Sequence, residues 1–234
     1  NIWRCYLFSI DKTFVETENK IKRNEDKQLF IVTGDSPLIT TEEVDDFISN
    51  SDMENHDYII GLTDIQNLKR FSPNEKKGLP GIRMAPIHFK EKLYRINNLH
   101  LAKPAKVKNR HLINKLYQLR YLKEWSNMIK LLIFMKRQHF KKGDFGTFLI
   151  MEFALLARKY HFLKVANYLR QFSPIERIEQ VLSNILDARF GYHETPFGDS
   201  TIDVDNETDY LTIKQRWDEW KSKRKKRNIS PAQS

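Results

Sequence analysis

The chain has 234 residues, 40% of them hydrophobic and 12% aromatic, which is enough apolar side chain for a packed core and excludes disorder throughout. Eight glycines and eight prolines exclude a fibrous or low-complexity protein, and the single cysteine, Cys5, excludes an internal disulfide and fits a reducing compartment. The formal net charge of +10 is unevenly spread: residues 101–170 hold sixteen Lys and Arg against Glu124, Asp144 and Glu152.

The sequence opens at Asn1 and runs at once into the strand-like Ile2, Trp3, Cys5, Leu7 and Phe8. A natural terminus seldom begins inside apolar structure, so the chain reads as a piece of a longer protein. Residues 13–24 are polar and helix-compatible, with Phe14, Val15 and Ile21 on one face. Residues 28–33 form a short apolar and β-branched run, the pattern of a strand buried on both sides. It stops at Gly34-Asp35-Ser36-Pro37, and Thr40 with Glu43 forms a capping box for a helix carrying Val44, Phe47 and Ile48.

Residues 58–62 read as a second buried strand, and 69–83 as a loop punctuated by Pro73, Gly78, Pro80 and Gly81. Residues 84–90 and 93–96 suggest a pair of strands, and 99–102 a further one. From 109 to about 172 the pattern turns helical, with a break expected near Gly143-Asp144. Ser173-Pro174 starts another helix striped by Ile175, Ile178, Val181, Leu182 and Ile185. A short strand is expected around Tyr192-His193-Glu194-Thr195, then a brief extended segment at 201–205. A closing helix is expected from Asn206 to Trp220, followed by a disordered basic tail.

No stretch reads as a spanning helix. The longest apolar runs, 128–135 and 147–157, are interrupted by Lys130 and Glu152 and fall short of the ~20 apolar residues that crossing a bilayer requires. A cytoplasmic location follows, at most peripheral to a membrane.

Two acidic motifs carry chemistry. Asp35 directly follows a strand, at the carboxyl edge where open α/β sheets bind ligands, and Gly34 would let the backbone turn close to one. The plain alternative is an Asp turn leading into the next helix. In an extended segment Asp203 and Asp205 share a face, and two neighbouring carboxylates repel unless a cation lies between them. Hard oxygen ligands favour Mg2+ or Mn2+; the alternative is an exposed acidic turn that caps the last helix.

A strand ending in Gly34-Asp35-Ser36-Pro37-Leu38 before a Thr-initiated helix, with a late Asp203-Val204-Asp205 and Asp209 before a final helix, resembles the MobA-like nucleotidyltransferases. The likeness covers roughly residues 10–62 and 195–215. It implies an α/β fold, a Rossmann-like nucleotide-diphospho-sugar transferase (GT-A-like) sheet with a largely α-helical insertion. The implied division is an N-terminally incomplete α/β core (1–108), a basic helical insertion (109–190), a returning strand and helix (191–220) and a basic tail (221–234).

The resemblance further implies that Asp35 holds a magnesium ion bridging the nucleotide phosphates. A late Asp completes its shell, and Asp205 matches that position better than Asp203. The implied reaction transfers a nucleotide from a nucleoside triphosphate to a phosphorylated acceptor, such as a sugar phosphate, with release of pyrophosphate. On the ligand side Gly34, Arg83, Asn97 and Asn98 are the candidates, with His88 and Arg95 nearby in sequence. The Gly-rich phosphate loop that opens such domains is missing here, so the chain as given is expected to be inactive.

Helical residues Tyr117, Tyr121, Trp125 and Phe140 alternate with Arg120, Lys123, Lys136 and Lys142. They make either an ordinary packed helix with a wet basic side or a surface that lies on an anionic membrane. The rival to the transferase is a non-enzymatic basic helical protein binding nucleic acid or an anionic membrane. Nucleic acid is disfavoured, because the paired acids repel phosphates and no nucleic-acid-binding signature is present. The membrane-surface reading predicts flotation with anionic vesicles at moderate salt; protein left at the bottom of the gradient counts against it.

Overall fold

The computed structural model describes residues 26–84, 86–109 and 142–227. The expectations for residues 2–8 and 13–24, for the basic stretch carrying Tyr117 to Phe140, and for the tail after Arg227 lie outside the described residues.

The fold is mixed α/β. Five strands, β1 (Leu29–Val32), β2 (Tyr58–Asp64), β3 (Ile87–His88), β4 (Leu93–Ala102) and β5 (Phe190–Glu194), form one sheet in the order β1-β4-β2-β5, with β3 paired to β4. Strand β4 runs antiparallel to both β1 and β2, while β2 and β5 are parallel. Strands β1, β2 and β5 therefore point the same way, and their carboxyl ends share one edge with the start of β4. Among the described residues five helices accompany the sheet: α1 (Thr41–Asn50), α2 (Lys142–Lys159), α3 (Leu163–Arg170), α4 (Ile175–Leu186) and α5 (Glu207–Arg227).

Strand alternation divides the core. On one face Ile59, Leu99 and Leu101 pack against Phe47 of α1. On the other, Phe190 and the half-buried Tyr58 and Ile60 meet Val181, Ile185 and Leu186 of α4. Pro174, at the N-cap of α4, fixes the entry to that helix, and the chain leaves through Asp187 in the left-handed conformation (φ 47°).

Several elements differ from the sequence reading. Strand β1 is not buried on both sides: Leu29 and Val32 are exposed, because β4 is its one partner among the described residues. The two strands expected at 93–96 and 99–102 are one ten-residue strand. The polar Asn97-Asn98 does not interrupt it, because the partner strand shifts register between Ile60 and Leu62. Gly61 lies at that shift, and a Cβ there would collide with the Asn97 amide.

The strand expected over 84–90 shrinks to Ile87–His88. The expected loop at 69–83 contains structure, the end of the 3-10 helix Ile65–Phe71 and the short 3-10 turn Glu75–Lys77, whose exit Gly78 has φ 62°. Gly143-Asp144 lies in the first described turn of α2, which begins at Lys142, and the residues just before it lie outside the described ones; the chain also bends at His161, φ 63°. Residues 202–205 form no strand, and α5 continues past Trp220 into the basic residues 221–227.

A separate core gathers the segments around the sheet edge: Leu38, Leu68, Phe71, Ile82, Ile202, Ile213 and Trp220. Trp220 is fully buried, its ring edge-on to Phe71 at 5.0 Å, and its Nε1 donates to the Arg70 carbonyl at 3.1 Å. Arg216, one helical turn earlier, donates to the carbonyls of Arg70, Ser72 and Pro80. Helix α5 is thereby bolted to backbone that its sequence neighbours never reach. Trp220→Ala leaves a large cavity and removes one of the two donors to the Arg70 carbonyl, so urea denaturation should register a loss of about 3–5 kcal/mol.

Among the described residues no helix is long and apolar enough to cross a membrane.

Candidate functional site at the sheet edge

The site starts where β1 ends. Ser36, nearly buried, links the Thr33 hydroxyl at 3.0 Å to the Asn98 amide of β4, which donates to it at 2.7 Å. These bonds hold the Gly34-Asp35 turn against the adjacent strand. Gly34 is not left-handed, and a Cβ on it would meet nothing in the chain, so the fold itself does not require glycine there.

Thr40 then caps α1, its hydroxyl accepting from the Glu43 N–H at 3.2 Å. Only half of the expected capping box is used. The Glu43 side chain is fully buried and turns to the late loop, accepting from Gly198 N–H (2.9 Å), Ser200 N–H (2.8 Å) and the Ser200 hydroxyl (2.7 Å). Gly198 can take its φ of 101° because it lacks a Cβ, which would strike Leu68. The neighbouring Asp199 is held by Arg70 at 2.6 Å, in an ion pair almost sealed from solvent.

This anchoring delivers the second acidic motif to the first. Val204 N–H donates to the Asp35 carbonyl at 3.0 Å, so Asp203 and Asp205 flank the residue bonded to Asp35. Arg95 of β4 pairs with Asp203 at 3.5 Å. Burial raises the proton affinity of Asp203; Arg95 opposes that, while the charges of Asp205 and Asp35 add to it. Asp205 is exposed. Asn206 caps α5, its side chain accepting from Asp209 N–H at 3.0 Å and donating to the Asp209 carboxylate at 2.7 Å.

One carboxylate oxygen of Asp35, Oδ1, is buried and has no hydrogen-bond partner among the described residues. A buried carboxylate oxygen left bare is costly, and an oxygen-seeking cation or a donor would relieve it. Among the described residues no group of three or more His, Cys, Asp or Glu is placed to hold a metal ion, and Asp35, Asp203 and Asp205 together are no exception. A magnesium-type ion needs no such cluster, since it takes one or two protein carboxylates and completes its shell from water and substrate phosphates.

The other candidates separate. Asn97 is buried, its Oδ1 accepting from Leu99 N–H, and it is wedged against Gly61. Arg83 is exposed and lines a different cavity, together with Lys69 and Lys76. His88 is buried on β3, and neither ring nitrogen is bonded among the described residues; burial, and then the charges of Arg158 and Arg170, press its pKa down to about 4, so it is neutral at physiological pH.

Along the same edge lies a polar group that the sequence reading missed. Glu194, ending β5, accepts from Lys92 Nζ at 2.8 Å and from Tyr94 hydroxyl at 2.6 Å. Burial pushes Glu194 upward, but those two bonds outweigh it and keep its pKa low. The alternation of Lys92 and Tyr94 at a strand start was the available signal; nothing local points to Glu194 a hundred residues later.

Among known proteins, a solved structure described as a hypothetical transferase from Thermus thermophilus is similar to this chain, with a TM-score of 0.51 and 16% identity over 82% of this chain and 68% of that one. At that identity the likeness concerns the fold. No protein family model matches the chain, and no curated protein does either.

Burial, the largest influence on Glu43, lifts its pKa above the ordinary 4.5 despite the bonds from Ser200 and Gly198. The folded protein then holds a proton that the unfolded chain releases, so this group favours folding at low pH and loses that contribution as pH climbs from about 4.5 through the raised value. Denaturation measured across that window should show the decline, and Glu43→Gln should flatten it.

Proposed function

We propose that this protein is a metal-dependent nucleotidyltransferase of the MobA-like, GT-A-like type, acting on a nucleoside triphosphate and a phosphorylated acceptor. The observation that carries the reading is the bond from Val204 N–H to the Asp35 carbonyl, which joins two acidic segments nearly 170 residues apart at the carboxyl edge of the sheet. Supporting it are the bare buried oxygen of Asp35 and the structural neighbour described as a hypothetical transferase.

In this reading Asp35 and a late Asp hold Mg2+, which when bound neutralises charge on the transferring phosphate. Asp205 is the freer of the two late acids, while Asp203 is already committed to Arg95. Arg95 keeps Asp203 fixed and places a positive charge beside the phosphates. Ser36 and Asn98 hold the Asp35 turn in register, and Glu43 sets the late loop. The chemistry asked of the protein is mainly orientation and electrostatic stabilisation, for which rigid placement of these groups is the requirement.

The experiment is magnesium-dependent pyrophosphate release by the intact protein with the four common nucleoside triphosphates and a panel of phosphorylated acceptors. Asp35→Ala should lower turnover by about 100-fold or more, and Asp205→Asn should raise the magnesium requirement. No turnover and no nucleotide binding by the intact protein would transfer the argument to a basic, non-enzymatic binding protein.

A further inference from the structure

We propose that a cavity beside α5, distinct from the Asp35 edge, is a binding site for a compact polyphosphate anion, such as inorganic pyrophosphate or the phosphate chain of a nucleotide. The cavity measures about 530 Å3 and is walled by Lys69, Arg70, Lys76, Arg83 and Arg216, with Glu75 the one acid among the described lining residues. That volume lies within the range of small-molecule sites.

The cations fall into two groups with different roles. Arg70 and Arg216 form the rigid back wall. Arg70 is fixed by Asp199, and Arg216 by three backbone carbonyls at 2.9–3.1 Å together with the Glu219 carboxylate. They are already partnered, and they set the shape of the wall.

Lys69, Lys76 and Arg83 form the open rim. All three are exposed, and none makes an ion pair among the described residues.

The rim cations line one cavity and rise from ordered backbone. Lys69 sits in the 3-10 helix Ile65–Phe71, and Lys76 in the turn that the Asn74 side chain caps at Lys77 N–H. Arg83 follows Ile82, whose N–H donates to the Phe71 carbonyl at 2.8 Å and whose side chain enters the core. Each of the three backbone segments is tied to a turn or to the core, so the three side chains start from fixed positions around the cavity. An anion carrying several charges offsets the repulsion among them and gains charge-assisted hydrogen bonds from Lys and Arg.

The concave shape argues for a compact ligand. A single-stranded nucleic acid is usually met by a groove with aromatic rings on which bases stack. No aromatic side chain is among the described residues lining this cavity. The assignment does not depend on the transferase reading, because none of its residues belongs to the Asp35 edge.

The test is calorimetric titration of the full chain with inorganic pyrophosphate in the presence of EDTA, so that no divalent ion can bridge pyrophosphate to Asp35. Adenosine and ATP serve as further arms: ATP binding like pyrophosphate while adenosine fails to bind identifies the phosphates as the recognised group. Lys69→Gln combined with Arg83→Gln should weaken pyrophosphate at least about tenfold, while Asp35→Asn should bind as the parent does. Both rim side chains are exposed, so circular dichroism should report an unchanged fold; Lys76→Gln alone gives an independent, smaller loss. The proposal is overturned if the parent chain does not bind pyrophosphate, if the double variant binds equally well, or if Asp35→Asn removes binding. Tighter binding of a single-stranded oligonucleotide than of either phosphate ligand overturns it in favour of a polymer.

Discussion

The sheet edge depends on a single buried carboxylate. Glu43 lies one turn into α1, yet all three of its hydrogen bonds go to the loop between Gly198 and Ser200. Burying a carboxylate without a cation is costly, and two backbone N–H groups and a hydroxyl offset part of that cost. The geometry is correspondingly strict, because donors that lost this acceptor would be left bare in the interior. Through that constraint the helix following the first acidic motif fixes the loop that leads to the second.

Around this strut the other polar links act in concert. Arg70 and Asp199 lock the next residue of the same loop, and Arg216 and Trp220 tie α5 to the backbone that carries Arg70. Leu38, Ile202 and Trp220 fill the space between them. Charge is thereby partitioned: carboxylates gather at the ends of the parallel strands, and guanidinium and ammonium groups gather behind them around α5. Helix α5 follows directly on the late acidic segment and carries Arg216 of the basic cavity, so a change in how it sits would be felt at both.

The sequence made the elements more legible than their connections. Apolar runs located β2 and the stripe of α4, and the Thr40 cap was readable because N-capping is local chemistry. The acidic motifs were visible as Asp35, Asp203 and Asp205, since a carboxylate after a strand and two close together are unusual local patterns. The structure joins them through Val204, a bond that no local pattern announces. Glu43 was misread for the same reason: its position matched a capping box, while its real partners lie some 155 residues further on. Arg83 and Asn97 looked equivalent as polar residues near strands. One proved to line a basic cavity and the other to fill the gap left by Gly61.

Strand β4 has a consequence for how the molecule is assembled. It is the central antiparallel strand, so β1 and β2, though they run in parallel, touch only through it among the described residues. Leu29 must wait for Ala102 before its ladder can close. Non-local pairing of this kind is slow, since the loop-closure entropy is lost before the contacts form. During synthesis the turn bearing Asp35 precedes the start of β4 by nearly 60 residues and the loop containing Val204 by nearly 170. The parts of the edge that lie farthest apart in the chain are the last to meet, and mispairing is most open in the interval between the making of β1 and of β4.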